Sequence, residues 1–211
     1  MKNQTPRRGF TLLQILIVLT SSVVLAAIAF PFFGRARETH CGPSCQSQLK
    51  QIMLGTFQYA QDYDEKFPVL GGSPDAMGWV DALQPYLKST QIFRCPQEKT
   101  AQQTLDPSQP QYTDFWLNAR VAGLDVKQFA DPARTISLGD GNDGQDLSNA
   151  RYHLFWIPED WRTHSDSPLY RHLAGANYAF ADGHAKQFTG QMWKNQLDTV
   201  QGYTLRLKPT N

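Results

Sequence analysis

The sequence predicts an α+β chain: a long, kinked N-terminal hydrophobic helix packed on a small antiparallel β-sheet head. Three observations predict it. Residues 9–34 contain no Asp, Glu, Lys, Arg or His. Leu49, Ile52, Met53, Phe57, Ala60 and Tyr63 recur at the spacing of one helix face. Asp182-Gly183 stands between two strand-like runs, a strong signal for a two-residue hairpin turn.

Taken in order, Phe10 to His40 reads as one helix with a bend near Pro31. Gly42-Pro43 then interrupts it, as a kink or as a stop and restart, because proline removes a backbone donor but is tolerated in a first turn. The amphipathic stretch follows and ends before Phe67-Pro68. Trp79, Leu83 and Leu87 mark a short helix before Gln91, and residues 99–111, rich in Gln, Thr, Ser and Pro, read as a surface loop. Strands are predicted at Tyr112–Leu117, Thr135–Leu138, His153–Ile157, Asn177–Ala181 and Ala185–Phe188, the last two joined by a type I′ turn at Asp182-Gly183. The organisation is a leader over 1–9, an apolar segment over 10–33, its amphipathic continuation over 34–64 and a head over 65–211.

At ~1.5 Å per residue, residues 10–33 span a hydrocarbon core of roughly 30 Å. Lys2, Arg7 and Arg8 precede this segment, which predicts a cytoplasmic N-terminus and an extracytoplasmic head. A secretory signal peptide cut after Ala27-Ile28-Ala29, a plain anchor and a processed assembly segment all fit the apolar run. The stretch Arg8-Gly9-Phe10-Thr11-Leu12-Leu13-Gln14 resembles the cleavage and methylation site of type IV prepilins and type II secretion pseudopilins. That resemblance implies cleavage after Gly9 by a prepilin peptidase, methylation of Phe10, and retention of the apolar segment for filament assembly. Pro31 stands where that family carries a helix-kinking proline. Gln14 replaces the family's usual Glu, so it can accept a hydrogen bond but cannot neutralise a neighbouring subunit's N-terminal amine. This departure suggests either a subunit that enters the filament less readily than a major pilin or an abundant subunit in which Gln suffices.

The resemblance extends to Ser44-Cys45-Gln46-Ser47-Gln48-Leu49-Lys50-Gln51-Ile52, Tyr59-Ala60-Gln61-Asp62-Tyr63, Phe93-Arg94-Cys95-Pro96 and the closing His172…Asp182-Gly183. Together these look like one pseudopilin branch with a C-terminal His, nine residues, then Asp-Gly, a motif without an established biochemical role. The implied partners are the peptidase, other pilin or pseudopilin subunits and an assembly platform of the bacterial inner membrane. The implied location is that membrane, single-pass, and then a filament in the periplasm or at the cell surface.

The formal net charge is +1, with no sizeable basic cluster in the exported part, so no nucleic-acid partner is expected. An extracytoplasmic head permits disulfides. Of Cys41, Cys45 and Cys95, the favoured pair is Cys45–Cys95, which closes about 50 residues and is worth about 4 kcal/mol in a loop-entropy account; Cys41–Cys45 is the alternative. Asp140, Asn142, Asp143 and Asp146 form an oxygen-rich, glycine-containing stretch that is a candidate Ca²⁺ loop or a solvated turn. His172, Asp182 and His184 are either metal ligands or turn and backbone partners. No nucleophile elbow, phosphate-binding loop or dinucleotide fingerprint occurs, so the expectation is a structural subunit and not an enzyme.

Overall fold

The computed structural model describes residues 12–39, 41–71, 78–98, 104–195, 199–200 and 203–205. The chain divides into two compact units, residues 1–40 and 41–211.

In the first unit, the Leu-, Ile-, Val- and Ala-rich run forms helix α1 (Leu12–Thr39), a single helical element that includes Pro31. Its hydroxyls are absorbed locally: Thr20 Oγ1 donates to the Ile17 carbonyl (3.0 Å) and Ser22 Oγ to the Leu19 carbonyl (2.8 Å). Every side chain from 12 to 27 is exposed. Among the described residues no helix is long and apolar enough to cross a membrane.

The second unit opens with α2 (Cys41–Asp62), whose Gly42-Pro43 falls in the first turn, where the donor that proline lacks has no helical partner. Leu49, Ile52, Met53 and Ala60 are buried as their spacing predicts, whereas Tyr63 lies beyond the helix and is exposed. The chain leaves α2 through left-handed backbone at Asp64 and Glu65. Helix α3 (Trp79–Leu87) forms where predicted and buries Trp79, Val80 and Leu83.

Strands β1 (Phe115–Asn118), β2 (Ile136–Asp140), β3 (His153–Leu154), β4 (Gly175–Phe180) and β5 (Ala185–Thr189) make one sheet in the order β3-β1-β2-β4-β5. Helix α4 (Glu159–Thr163) follows β3, and β6 (Thr199–Val200) pairs with β7 (Tyr203–Thr204) in a separate ribbon.

Two parts of the predicted architecture are corrected. Among the described residues there is no long apolar helix of the predicted kind: α1 and α2 are separate elements that fall in different compact units. Nor is the sheet antiparallel throughout, because β3 runs parallel to β1 at its edge. A parallel neighbour requires a long crossover, here residues 119–152, which itself contains β2. The strand order therefore depends on non-local pairing that no local pattern encodes.

Both faces of the sheet are covered. Phe115, Leu117, Leu138 and Ala179 pack with α2 and α3 around Trp79 and Phe93. Trp116, Ile136, Tyr178 and Phe180 face a second layer with Trp161, Phe188 and Trp193. Ile136 and Leu138 would share a face in a regular strand. A register shift between them against β4 sends them to opposite layers. The β4–β5 hairpin forms as predicted, but its turn is not type I′: of Asp182 and Gly183, only Gly183 has positive φ (92°). Gly183 N–H donates to the Phe180 carbonyl (2.8 Å) and Phe180 N–H to the His184 carbonyl (2.9 Å), a longer loop with glycine in the left-handed position. Asp182 Oδ1 accepts from His184 N–H (3.1 Å), which stabilises ordinary backbone at Asp182.

Candidate functional site

Four sequence-distant segments meet beneath the sheet. The first turns of α2 bring Cys45, which is fully buried. A 3₁₀ turn, Gln91–Phe93, leads to Cys95, whose N–H donates to Asp114 Oδ2 (2.7 Å). Asp140 ends β2, and His172 precedes β4. The segments are clasped by amides of α2: Gln46 Nε2 donates to the Ala185 carbonyl (2.9 Å), and Gln48 Nε2 to the Arg94 carbonyl (2.8 Å).

His172 is held on all sides. Its N–H donates to the Gly175 carbonyl (2.8 Å), and Gly175 N–H returns a bond to the His172 carbonyl (3.0 Å). The intervening Leu173 and Ala174 adopt φ of 51° and 63°, a left-handed pair costing roughly 1–2 kcal/mol per residue for side chains with a Cβ. Gln187 Nε2 also donates to the His172 carbonyl. Nδ1 pairs with Gln97 Oε1, an acceptor, so Nδ1 carries the proton. Nε2 faces inward, 3.5 Å from Cys95 Sγ and 3.1 Å from Asp140 Oδ2.

Asp140 Oδ2 also accepts from Asn177 N–H (2.6 Å) and Asn177 Nδ2 (3.1 Å), while its buried Oδ1 has no hydrogen-bond partner. Burial pushes the His172 imidazole down, but bonds to Asp140 and Cys95 outweigh it and lift it to about 9. The Cys45 thiol is pushed up by its bond with Cys95 and by burial. Cys95 is pushed down by that same bond, against burial, with help from His172. The pair therefore gives up one proton far more readily than the second. Beside the cluster, Gln97, Glu98, Asn142, Asp143 and Arg171 line an open cleft of ≈ 290 Å³.

The positions singled out in the sequence fare differently. Gly9 and Phe10 lie outside the described residues. Gln14 sits on α1, exposed, and Pro31 falls within that helix. Cys45 and Cys95 do come together, as free thiols; the alternative partner Cys41 has a side chain outside the described set. The acidic stretch does not converge on one centre. Asp140 faces His172 and Asn177, Asn142 Nδ2 donates to Asp114 (2.7 Å), Asp143 accepts from Trp161 Nε1 (2.9 Å), and Asp146 accepts from the Tyr152 hydroxyl. His172, Asp182 and His184 are likewise split. Asp182 and His184 pair with each other at the partly exposed turn (2.6 Å), where the His184 ring stacks on Phe180 (4.2 Å), while His172 is buried in the thiol cluster.

Among the described residues, the one group of three or more His, Cys, Asp or Glu side chains close enough to share an ion is Cys45, Cys95 and His172. No family model, curated protein or solved structure matches the chain. Sequence reasoning missed Asp140 as the partner of His172 and Gln97 as its orienting acceptor. Neither carries a local signal, since each is placed by β-sheet register or by a loop. The quoted motifs containing Cys45, Cys95 and His172 did hold the cluster in pieces.

Proposed function

We propose that this chain is a prepilin-like structural subunit, processed after Gly9 and assembled through its N-terminal apolar segment into a type II secretion pseudopilus or a type IV pilus. The observation that carries this reading is the surface of α1. Leu12, Leu13, Val18, Val23 and Leu25 are 64–83% exposed in the chain. A contiguous apolar surface of this kind calls for a cover of lipid or of other apolar helices. The Arg8-Gly9-Phe10 junction immediately before it supports removal of the charged leader, which would otherwise be drawn into that packing. In this reading the segment 10–33 rests in the inner membrane before assembly and lies among neighbouring subunits afterwards, and the second unit supplies the outer surface.

The test is mass spectrometry of the mature N-terminus from cells with and without prepilin peptidase. The expected product begins at methylated Phe10 and disappears with the peptidase. A product beginning at Phe30 would instead establish an ordinary signal peptide and a secreted domain.

A further inference from the structure

We propose that Cys45, Cys95 and His172 form a site for Zn²⁺, beside the Asp140 carboxylate. The geometry suits the ion. Zn–S of about 2.3 Å and Zn–N of about 2.0 Å at a tetrahedral angle separate the two donors by about 3.5 Å. Cys95 Sγ and His172 Nε2 are 3.5 Å apart. All three donor atoms lie within 4.8 Å of one another.

The surroundings suit it as well. Gln97 holds Nδ1 and so aims Nε2 toward the thiols, the outer partner that metal-bound imidazoles characteristically have. Asp140 Oδ2 is 3.1 Å from the same nitrogen, and its Oδ1 is buried without a hydrogen-bond partner, an arrangement that a cation relieves. The donor set of two sulfurs and one imidazole favours zinc over calcium or magnesium. On binding, the protons held on the two sulfurs and on His172 Nε2 pass to solvent while Nδ1 keeps its own, so no redox step is involved.

The site has a structural consequence. It ties the start of α2 to the loop after the 3₁₀ turn and to the turn before β4, three segments that otherwise meet only through side-chain packing and a few amide bonds. It also makes the Cys45–Cys95 pair ligands rather than a disulfide.

The experiment uses the full-length chain in mild detergent, reduced with a phosphine, and titrated with Zn²⁺ and with Co²⁺ as a spectroscopic substitute. The expected result is one tightly bound equivalent and a thiolate-to-cobalt charge-transfer absorption. Cys45→Ser removes that absorption, and Gln97→Leu weakens binding by ~10–100-fold. Because His172→Ala also removes core contacts, His172→Cys is measured beside it: it retains one equivalent and strengthens the charge-transfer band. Folding of each variant is checked by circular dichroism. A folded, reduced chain that gives no charge-transfer band overturns the proposal. So does a Cys45–Cys95 disulfide in protein taken directly from the cell.

Discussion

Arg171 and Glu98 form an ion pair in which both side chains are almost wholly buried, at 9% and 12% exposure. The same guanidinium donates to the carbonyls of Gly141 (2.7 Å) and Asn142 (2.5 Å). It thereby ties the loop after β2 to the segment following Cys95.

Removing either partner strands a charge, but Arg171 serves two carbonyls in addition. Arg171→Ala is expected to destabilise the second unit by about 3–5 kcal/mol, and Glu98→Gln by less. Urea unfolding of the two variants, compared at equal m-value, measures the difference.

The left-handed pair Leu173-Ala174 stores backbone strain directly behind His172. Ala174→Gly is expected to raise stability by roughly 0.5–1 kcal/mol, the relief of strain exceeding the added freedom of the unfolded chain. An increased denaturation midpoint with unchanged slope is the readout, and a lower midpoint would contradict the strain account.

Gly78 has extended backbone (φ −172°), so its requirement is space and not conformation. A Cβ there would lie 2.1 Å from the Ala150 carbonyl oxygen, whereas at Gly71 nothing lies within 4 Å. Gly78→Ala is expected to cost about 3 kcal/mol, because backbone cannot rotate aside as a side chain can. Gly71→Ala is expected to be close to neutral. Thermal unfolding of both resolves the contrast.

Burial lifts the Asp146 carboxyl to about 6, above the lowering effect of its bond with Tyr152. Between about pH 4 and about pH 6 the folded state then holds a proton that the unfolded chain has lost, so stability falls as pH rises through that window. Asp146→Asn is expected to flatten this slope and to add on the order of 2 kcal/mol near neutral pH. Denaturant midpoints measured across the window provide the check.

If Gln14 limits incorporation because it cannot neutralise a neighbouring amine, Gln14→Glu is expected to raise the subunit's share of isolated filaments. Quantitative mass spectrometry of filament composition tests this, and an unchanged share contradicts it.

What could be read from residues alone was what short-range periodicity and turn chemistry encode. The buried face of α2, from Leu49 to Ala60, follows from spacing, and so do α3 and the β4–β5 hairpin. The boundaries of β1 and β2 shifted by one to three residues because Thr113 folds back on its own strand start and Asp140 extends β2 into the interior. The parallel placement of β3, the bulge at Ile136 and the meeting of Asp140 with His172 arise from register between distant strands, which no window of sequence contains. The break between α1 and α2 was half legible in Gly42-Pro43.

The clasp from Gln46 to Ala185 spans 139 positions and joins the opening helix of the second unit to its last long hairpin. During synthesis the apolar side of α2 therefore emerges well before β4 and β5 exist to cover it. Maturation of this unit waits on nearly complete translation. A chain that stops short of Gly175 lacks Ala179 and Ala181 from the core around Ile52 and Met53, and becomes a natural target for quality-control proteases.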